Sequence, residues 1–146
     1  MRVHTDPNSL YDALTNPIKL AIWFCNHAEI NLKVRGAVRM SGENCAAVSF
    51  PEGEIKGEIL QLEPNRLFTY RWPISGMESE VTFEIYDKDR YCNLVIGHAK
   101  ILEKSLMMDA WITYYYNLRA FLKTGRPAYR FDYTHIDKET IKRELF

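Results

Sequence analysis

The sequence predicts an α+β domain in which an antiparallel sheet of six to seven strands packs against a long C-terminal helix, with two short helices near the N-terminus. Three observations carry this. Between Ile30 and His98 the chain alternates apolar and polar residues in short runs broken by Gly, Pro, Asn and Asp, the pattern of half-buried strands joined by tight turns. From about Ser105 to Lys123 the apolar period changes to that of a helix. Near the start, Asn16-Pro17 divides a helical stretch into two short pieces. With 146 residues, one domain with a real core accommodates all of it.

In chain order, Met1 to Thr5 reads as a short strand ending at Asp6-Pro7. A helix starts at Asn8 or Ser9, with polar capping residues before it, and carries Leu10-Tyr11-Asp12-Ala13-Leu14. Pro17 opens the second helix, with Leu20, Ile22, Trp23 and Phe24. Ile30, Leu32, Val34, Val38 and Met40 share one parity, which predicts a single half-buried strand with Gly36 as a bulge or bend. Ser41-Gly42 turns the chain into a strand from Cys45 to Phe50, and Pro51 to Gly53 into another from Glu54 to Leu62, closed by Glu63-Pro64-Asn65. Leu67 to Trp72 follows, with Phe68, Tyr70 and Trp72 on one face, and Pro73 to Gly76 as a turn. Val81, Phe83 and Ile85 form one face of the next strand, and after Asp87-Lys88-Asp89, Leu94, Ile96 and His98 form one face of the last.

On the final helix Met107, Trp111, Tyr114, Leu118, Phe121 and Leu122 make an apolar stripe with Met108 and Tyr115 at its edge. Asp109, Thr113, Tyr116, Ala120 and Lys123 are expected to face away. Ser105 is the expected N-cap, and Gly125 with Pro127 the stop. The domain is expected to span 1–125. In the extension 126–146, Tyr129, Phe131 and Tyr133 alternate and Asp137 to Leu145 suits a short helix. This extension is expected to pack on the domain or on a second protomer, which makes a homodimer one expectation.

Composition narrows the function classes. Nineteen basic residues balance 19 acidic ones, so no general attraction to nucleic acid is expected. No apolar stretch is long enough for membrane insertion, and Arg2, His4 and Asp6 interrupt any signal-peptide pattern. Three cysteines, none in Cys-x-x-Cys spacing, predict reduced thiols in a cytoplasmic protein rather than disulfides or a zinc site. The four histidines lack ligand spacing, so no metal site is expected. Neither a Gly-x-Ser-x-Gly elbow nor a phosphate loop occurs, and Cys25 and Cys92 read as small core residues, so no catalytic residue is assigned.

Several motifs together resemble a known family. They are Leu10 to Pro17 followed by Trp23-Phe24; Gly57 to Leu67 ending in Tyr70-Arg71-Trp72; Ser79 to Ile85 leading into Leu94 to His98; and Trp111 with Tyr115, Leu118 and Leu122. In that order they are similar to the SRPBCC (START-like, helix-grip) superfamily, in the branch of homologues of the activator of the heat-shock-protein-ninety ATPase. That family often pairs glycines where this chain has Arg35-Gly36, and has a glycine where it has Ala110. The resemblance implies the helix-grip fold, a curved antiparallel sheet of six to seven strands wrapped around the C-terminal helix, and a cavity between the two, but no single activity.

If the strand parities hold, that cavity is lined by Tyr70, Trp72, Phe83, Ile85, Leu94, Ile96 and His98 from the sheet. Met108, Trp111 and Tyr115 come from the helix, with Trp23 at the mouth. His98 is the main polar handle, although a hydrogen-bonded or solvated histidine at a strand end is the better account of it. The leading expectation is non-enzymatic binding of a small hydrophobic or amphipathic molecule, without cofactor. A chaperone-associated interaction domain ranks second, and a cyclase- or hydrolase-like enzyme third.

Overall fold

The computed structural model describes residues 1–42, 54–74, 76–100 and 104–128, and for residues 74 and 104–109 the backbone only. Its first elements are strand β1 (Arg2–Val3), helix α1 (Pro7–Thr15) and helix α2 (Pro17–Trp23). Asp6 caps α1, accepting from the Ser9 amide at 2.8 Å and the Ser9 hydroxyl at 2.7 Å, and these two bonds hold its carboxyl below the usual range. The helix therefore starts earlier than Asn8 or Ser9, because Pro7 fits the first helical position behind an Asp cap. Asn16 serves both helices: its amide donates to the Asp12 carbonyl, and its side chain accepts from the Ile18 amide at 2.9 Å. Trp23 is buried and gives its indole N–H to the Ala13 carbonyl at 2.9 Å, fastening α2 onto α1.

Among the described residues the sheet has seven strands, all neighbours antiparallel, in the order β1-β7-β6-β5-β4-β3-β2. The others are β2 (His27–Ile30), β3 (Ala37–Ser41), β4 (Glu54–Glu63), β5 (Leu67–Ile74), β6 (Met77–Asp87) and β7 (Cys92–Ala99). β1 and β2 are the two edges, so α1 and α2 carry the chain from one side of the sheet to the other. The last element, α3 (Lys104–Thr124), ends at Gly125, whose φ of +78° and bond to the Phe121 carbonyl make the left-handed stop expected there. Ser105 lies within α3, not at its cap. This is the α+β helix-grip architecture.

One face of the sheet is the core: Val38, Met40, Ile55, Ile59, Phe68, Tyr70, Trp72, Val81, Phe83, Ile85 and Leu94 are buried there. Each large apolar side chain so buried contributes roughly 1.5–3 kcal/mol. The other face carries charge. Arg71 pairs with Glu58 at 2.7 Å and Glu78 at 3.0 Å, and Lys100 with Glu80 at 2.8 Å, while Glu84 accepts from the Tyr86 hydroxyl. Those carboxylates are a solvated strand face.

The stretch from Ile30 to Met40 is a hairpin rather than one strand. Residues 31–36 fold back on themselves, with the Asn31 amide donating to the Ala37 carbonyl and Gly36 to Lys33. Leu32 and Val34 are consequently 46% and 56% exposed. Parity could not reveal the reversal because Gly36 supplies it: a Cβ there would lie 1.8 Å from the Asn31 carbonyl oxygen. Arg35 adopts φ +66° and donates to the Ile59 carbonyl at 2.7 Å, docking the loop on β4. This is the position where the family resemblance leads one to expect glycine.

Two further strands differ from expectation. β4 carries an irregularity between Ile59 and Gln61, so Ile55 and Ile59 share one parity while Leu62 takes the other against Phe68. Pro73 belongs to β5, paired with Glu78, rather than to the turn. The β4–β5 ladder stops at Tyr70, so the missing N–H of Pro73 costs no cross-strand bond there. On α3, Thr113 is buried instead of facing away, and so is Asn117. The expected strand at Cys45 to Phe50, the turn at Pro51 to Gly53, and the readings for Tyr129, Phe131, Tyr133 and Asp137 to Leu145 lie outside the described residues.

Candidate functional site

The meander lays β5, β6 and β7 side by side, which brings Trp72, Phe83 and His98 onto one patch of the inner face. α3 sets Trp111 on that patch. Its ring meets Trp72 edge-on at 5.9 Å, Phe83 at 5.6 Å and Tyr114 at 5.1 Å, and stacks on Phe24 at 6.3 Å. His98 stacks on Trp72 at 5.2 Å. These rings are in contact with each other between helix and sheet.

A polar chain runs through them. The Trp111 indole N–H donates to Nδ1 of His98 at 3.0 Å, and Nε2 of His98 lies 2.9 Å from the Ser79 hydroxyl. The Ser79 hydroxyl donates to the Trp72 carbonyl. An indole can only donate, so Nδ1 must be the unprotonated nitrogen, and the neutral ring carries its proton on Nε2 and passes it to Ser79. Burial disfavours the charged ring and lowers the His98 pKa to about 4. Both nitrogens of the expected polar handle are thus engaged inside the protein.

Of the other expected site residues, Ile85 and Leu94 are buried and Ile96 is half-buried against the core. Tyr115 is buried, and its hydroxyl donates to the Arg2 carbonyl, joining α3 to β1; burial raises its pKa. Met108 lies on α3, with its side chain outside the described residues. Trp23, Tyr70 and Phe83 meet elsewhere, around a small space beneath α1 and α2. The helices contribute Leu14, Leu20, Trp23 and Phe24; the strands contribute Ile30, Met40, Phe68, Tyr70 and Phe83. The space is about 10 Å³, room for one water at most. Among the described residues Tyr70 brings the only side-chain oxygen to it, and burial pushes its phenol far up, followed by the effect of the Cys25 thiol. Sequence reading passed over Leu14, Leu20, Ile30 and Met40, because their meeting depends on the crossing of α1–α2 over the sheet. It also passed over Ser79, although Ser79 continues the Val81, Phe83, Ile85 parity.

Cys25 and Cys92 are buried thiols that donate to the Leu20 and Thr5 carbonyls at 3.5 and 3.3 Å, and burial raises the Cys92 pKa, with Asp87 and Asp6 adding to it. Among the described residues the Tyr11 hydroxyl is buried without a partner. No group of three His, Cys, Asp or Glu side chains among them could hold a metal ion, and no helix among them is long and apolar enough to cross a membrane.

The family model described as "Activator of Hsp90 ATPase homolog 1-like protein" matches residues 4–123. No curated protein matches the sequence. Among solved structures, DynU16 from the dynemicin biosynthetic locus superposes with a TM-score of 0.73 at 19% identity, over 88% of this chain and 47% of its own. This chain therefore spans about half the length of DynU16. CalU16 from Micromonospora echinospora gives 0.70 at 22% identity, over 99% of this chain and 79% of its own. The Aha1 dimer from Colwellia psychrerythraea gives 0.70 at 17%, over 86% and 93%. At these identities the likeness is one of fold.

Proposed function

We propose, since the chain belongs to the Activator of Hsp90 ATPase homolog 1-like protein family, that it is a non-enzymatic domain binding a small hydrophobic or amphipathic molecule between the sheet and the helices above it. One observation carries this reading: among the described residues, nine apolar or aromatic side chains from both short helices and four strands converge on one residual space. Such a concave, apolar lining with one polar group is the usual composition of a small-molecule site. Because the space holds at most one water, binding requires an opened state, and the observed affinity is reduced by the fraction of molecules that are open. Met40, an unbranched side chain with several rotamers, is the element of the lining best able to yield. Catalysis has little support in this core, where His98 already gives one nitrogen to Trp111 and the other to Ser79. A chaperone partner draws support from the family name, and a homodimer from the Colwellia dimer and the apolar extension.

The test is a titration of the full chain with benzene, followed by methyl NMR. The Leu14, Leu20, Ile30 and Met40 methyls should shift together and saturably. Shifts confined to the exposed Ile18 and Val95 methyls would sink the reading.

A further inference from the structure

The space beneath α1 and α2 is apolar but not featureless, and its polar groups can be accounted for one at a time. Among the described residues, none of its lining side chains is a lysine, arginine, histidine, aspartate or glutamate, and only two carry a nitrogen or oxygen. The Trp23 indole N–H is spent on the Ala13 carbonyl. The nearby helix-end amides of Phe24 and Cys25 are spent on the Leu20 carbonyl. That leaves the Tyr70 hydroxyl, on a residue only 2% exposed, as the group a guest can meet.

His98, the polar handle expected from the sequence, cannot substitute. It accepts from Trp111 on one side and faces Ser79 on the other, and Ser79 in turn donates to the Trp72 carbonyl. Recruiting it would break a bond inside the protein for each one made to a guest.

We infer that the molecule taken by this space is uncharged and is held by apolar contact plus one hydrogen bond, to the Tyr70 hydroxyl. The inference rests on the binding reading above and narrows it to neutral alcohols, phenols or carbonyl compounds, to the exclusion of carboxylates such as fatty acids. The physical reason is desolvation. A buried carboxylate with no cation and one donor loses far more hydration than its apolar portion recovers, whereas a hydroxyl or carbonyl loses only what one good hydrogen bond restores. A tyrosine hydroxyl both donates and accepts, so it serves either kind of neutral guest. It stays protonated at neutral pH because burial raises its pKa.

Benzene, phenol and benzoate form a matched set: one ring bearing nothing, a neutral hydroxyl, or a charge. In a purely apolar cavity phenol binds worse than benzene, because its hydroxyl is stripped of water without replacement. Here phenol should bind the full chain at least as tightly as benzene at neutral pH, and benzoate should not bind, as read from the Met40 and Leu20 methyl shifts. In Tyr70→Phe, phenol should fall about tenfold or more relative to benzene. Benzoate binding comparable to phenol, phenol tenfold weaker than benzene in the wild type, or an unchanged ratio in Tyr70→Phe each overturns the inference while leaving the binding site standing. Failure of all three probes to bind removes the site itself. The wild-type ranking decides the matter even if Tyr70→Phe does not fold.

Discussion

Acidification should loosen this protein through a single imidazole. Folded, His98 is neutral, with its proton on Nε2 and its Nδ1 occupied by the Trp111 N–H. Its pKa is lowered from 6.5 to about 4, and burial is the cause. Between those values the unfolded chain takes up a proton that the folded chain refuses. The stabilisation is therefore complete above about pH 6.5 and is lost progressively as the pH falls towards 4. Full conversion of that shift gives a ceiling of about 3 kcal/mol; the ring is only partly buried, and solvent screening brings the expected loss to about 1–2 kcal/mol. Asp6 and Asp12 also sit below their ordinary 3.8, but a depressed carboxylate loses its contribution only below about that value, so their effect follows that of His98.

The assay is urea unfolding from about pH 7.5 to about pH 4.5, for the wild type and for His98→Asn. The Asn amide oxygen can stand where Nδ1 stands and keep the Trp111 bond, yet it does not titrate. His98→Asn should lose about 1 kcal/mol at neutral pH, from the missing bond to Ser79, and its stability should be flatter than the wild type's down to about pH 4.5. Parallel pH profiles for the two proteins would refute the argument that His98 is held neutral. So would a nitrogen-edited NMR spectrum showing the His98 proton on Nδ1.

Other substitutions test the backbone. Gly57→Ala places a Cβ 1.7 Å from the Arg71 carbonyl oxygen, and should cost more than about 3 kcal/mol or prevent folding, as read by thermal melting and soluble yield. Arg35→Gly removes a side chain held at φ +66° and should stabilise by about 0.5 kcal/mol, the relief of left-handed strain outweighing the added chain entropy. Gly36→Ala, one residue on, should destabilise strongly because of the Asn31 carbonyl. Leu32→Ser should change stability by less than about 0.5 kcal/mol, whereas Val38→Ser should cost about 2 kcal/mol or more; equal losses in urea unfolding would restore the single-strand reading of this stretch.

Most of the architecture was legible in the residues. Alternation along β5, β6 and β7 named the inner face correctly, since a strand that buries one side writes its orientation into every second position. The change of period at α3, Pro17 after Asn16, and Gly125 at the helix end were equally plain, because each depends only on chain neighbours. The hairpin at 31–36 and the irregularity in β4 were not, because the apolar spacing on either side fits an uninterrupted strand; the hairpin depends on the close approach of the Gly36 backbone to Asn31, which no local pattern announces.

The candidate site divides in the same way. That Trp23, Tyr70, Phe83 and Trp111 would be buried aromatics followed from local periodicity. Which of them touch a residual space, and which polar atoms remain for a guest, depended on elements distant in sequence. Trp111 meets His98 only because α3 returns across the sheet, and Leu20 meets Met40 and Tyr70 only because α1–α2 bridges its two edges. A side chain's type and periodicity belong to its own segment, whereas its last hydrogen bond belongs to whatever the fold brings alongside. For that reason the imidazole singled out in the sequence is a fastening between helix and sheet, and among the described residues Tyr70 is the one that brings a side-chain oxygen to the lining of the space.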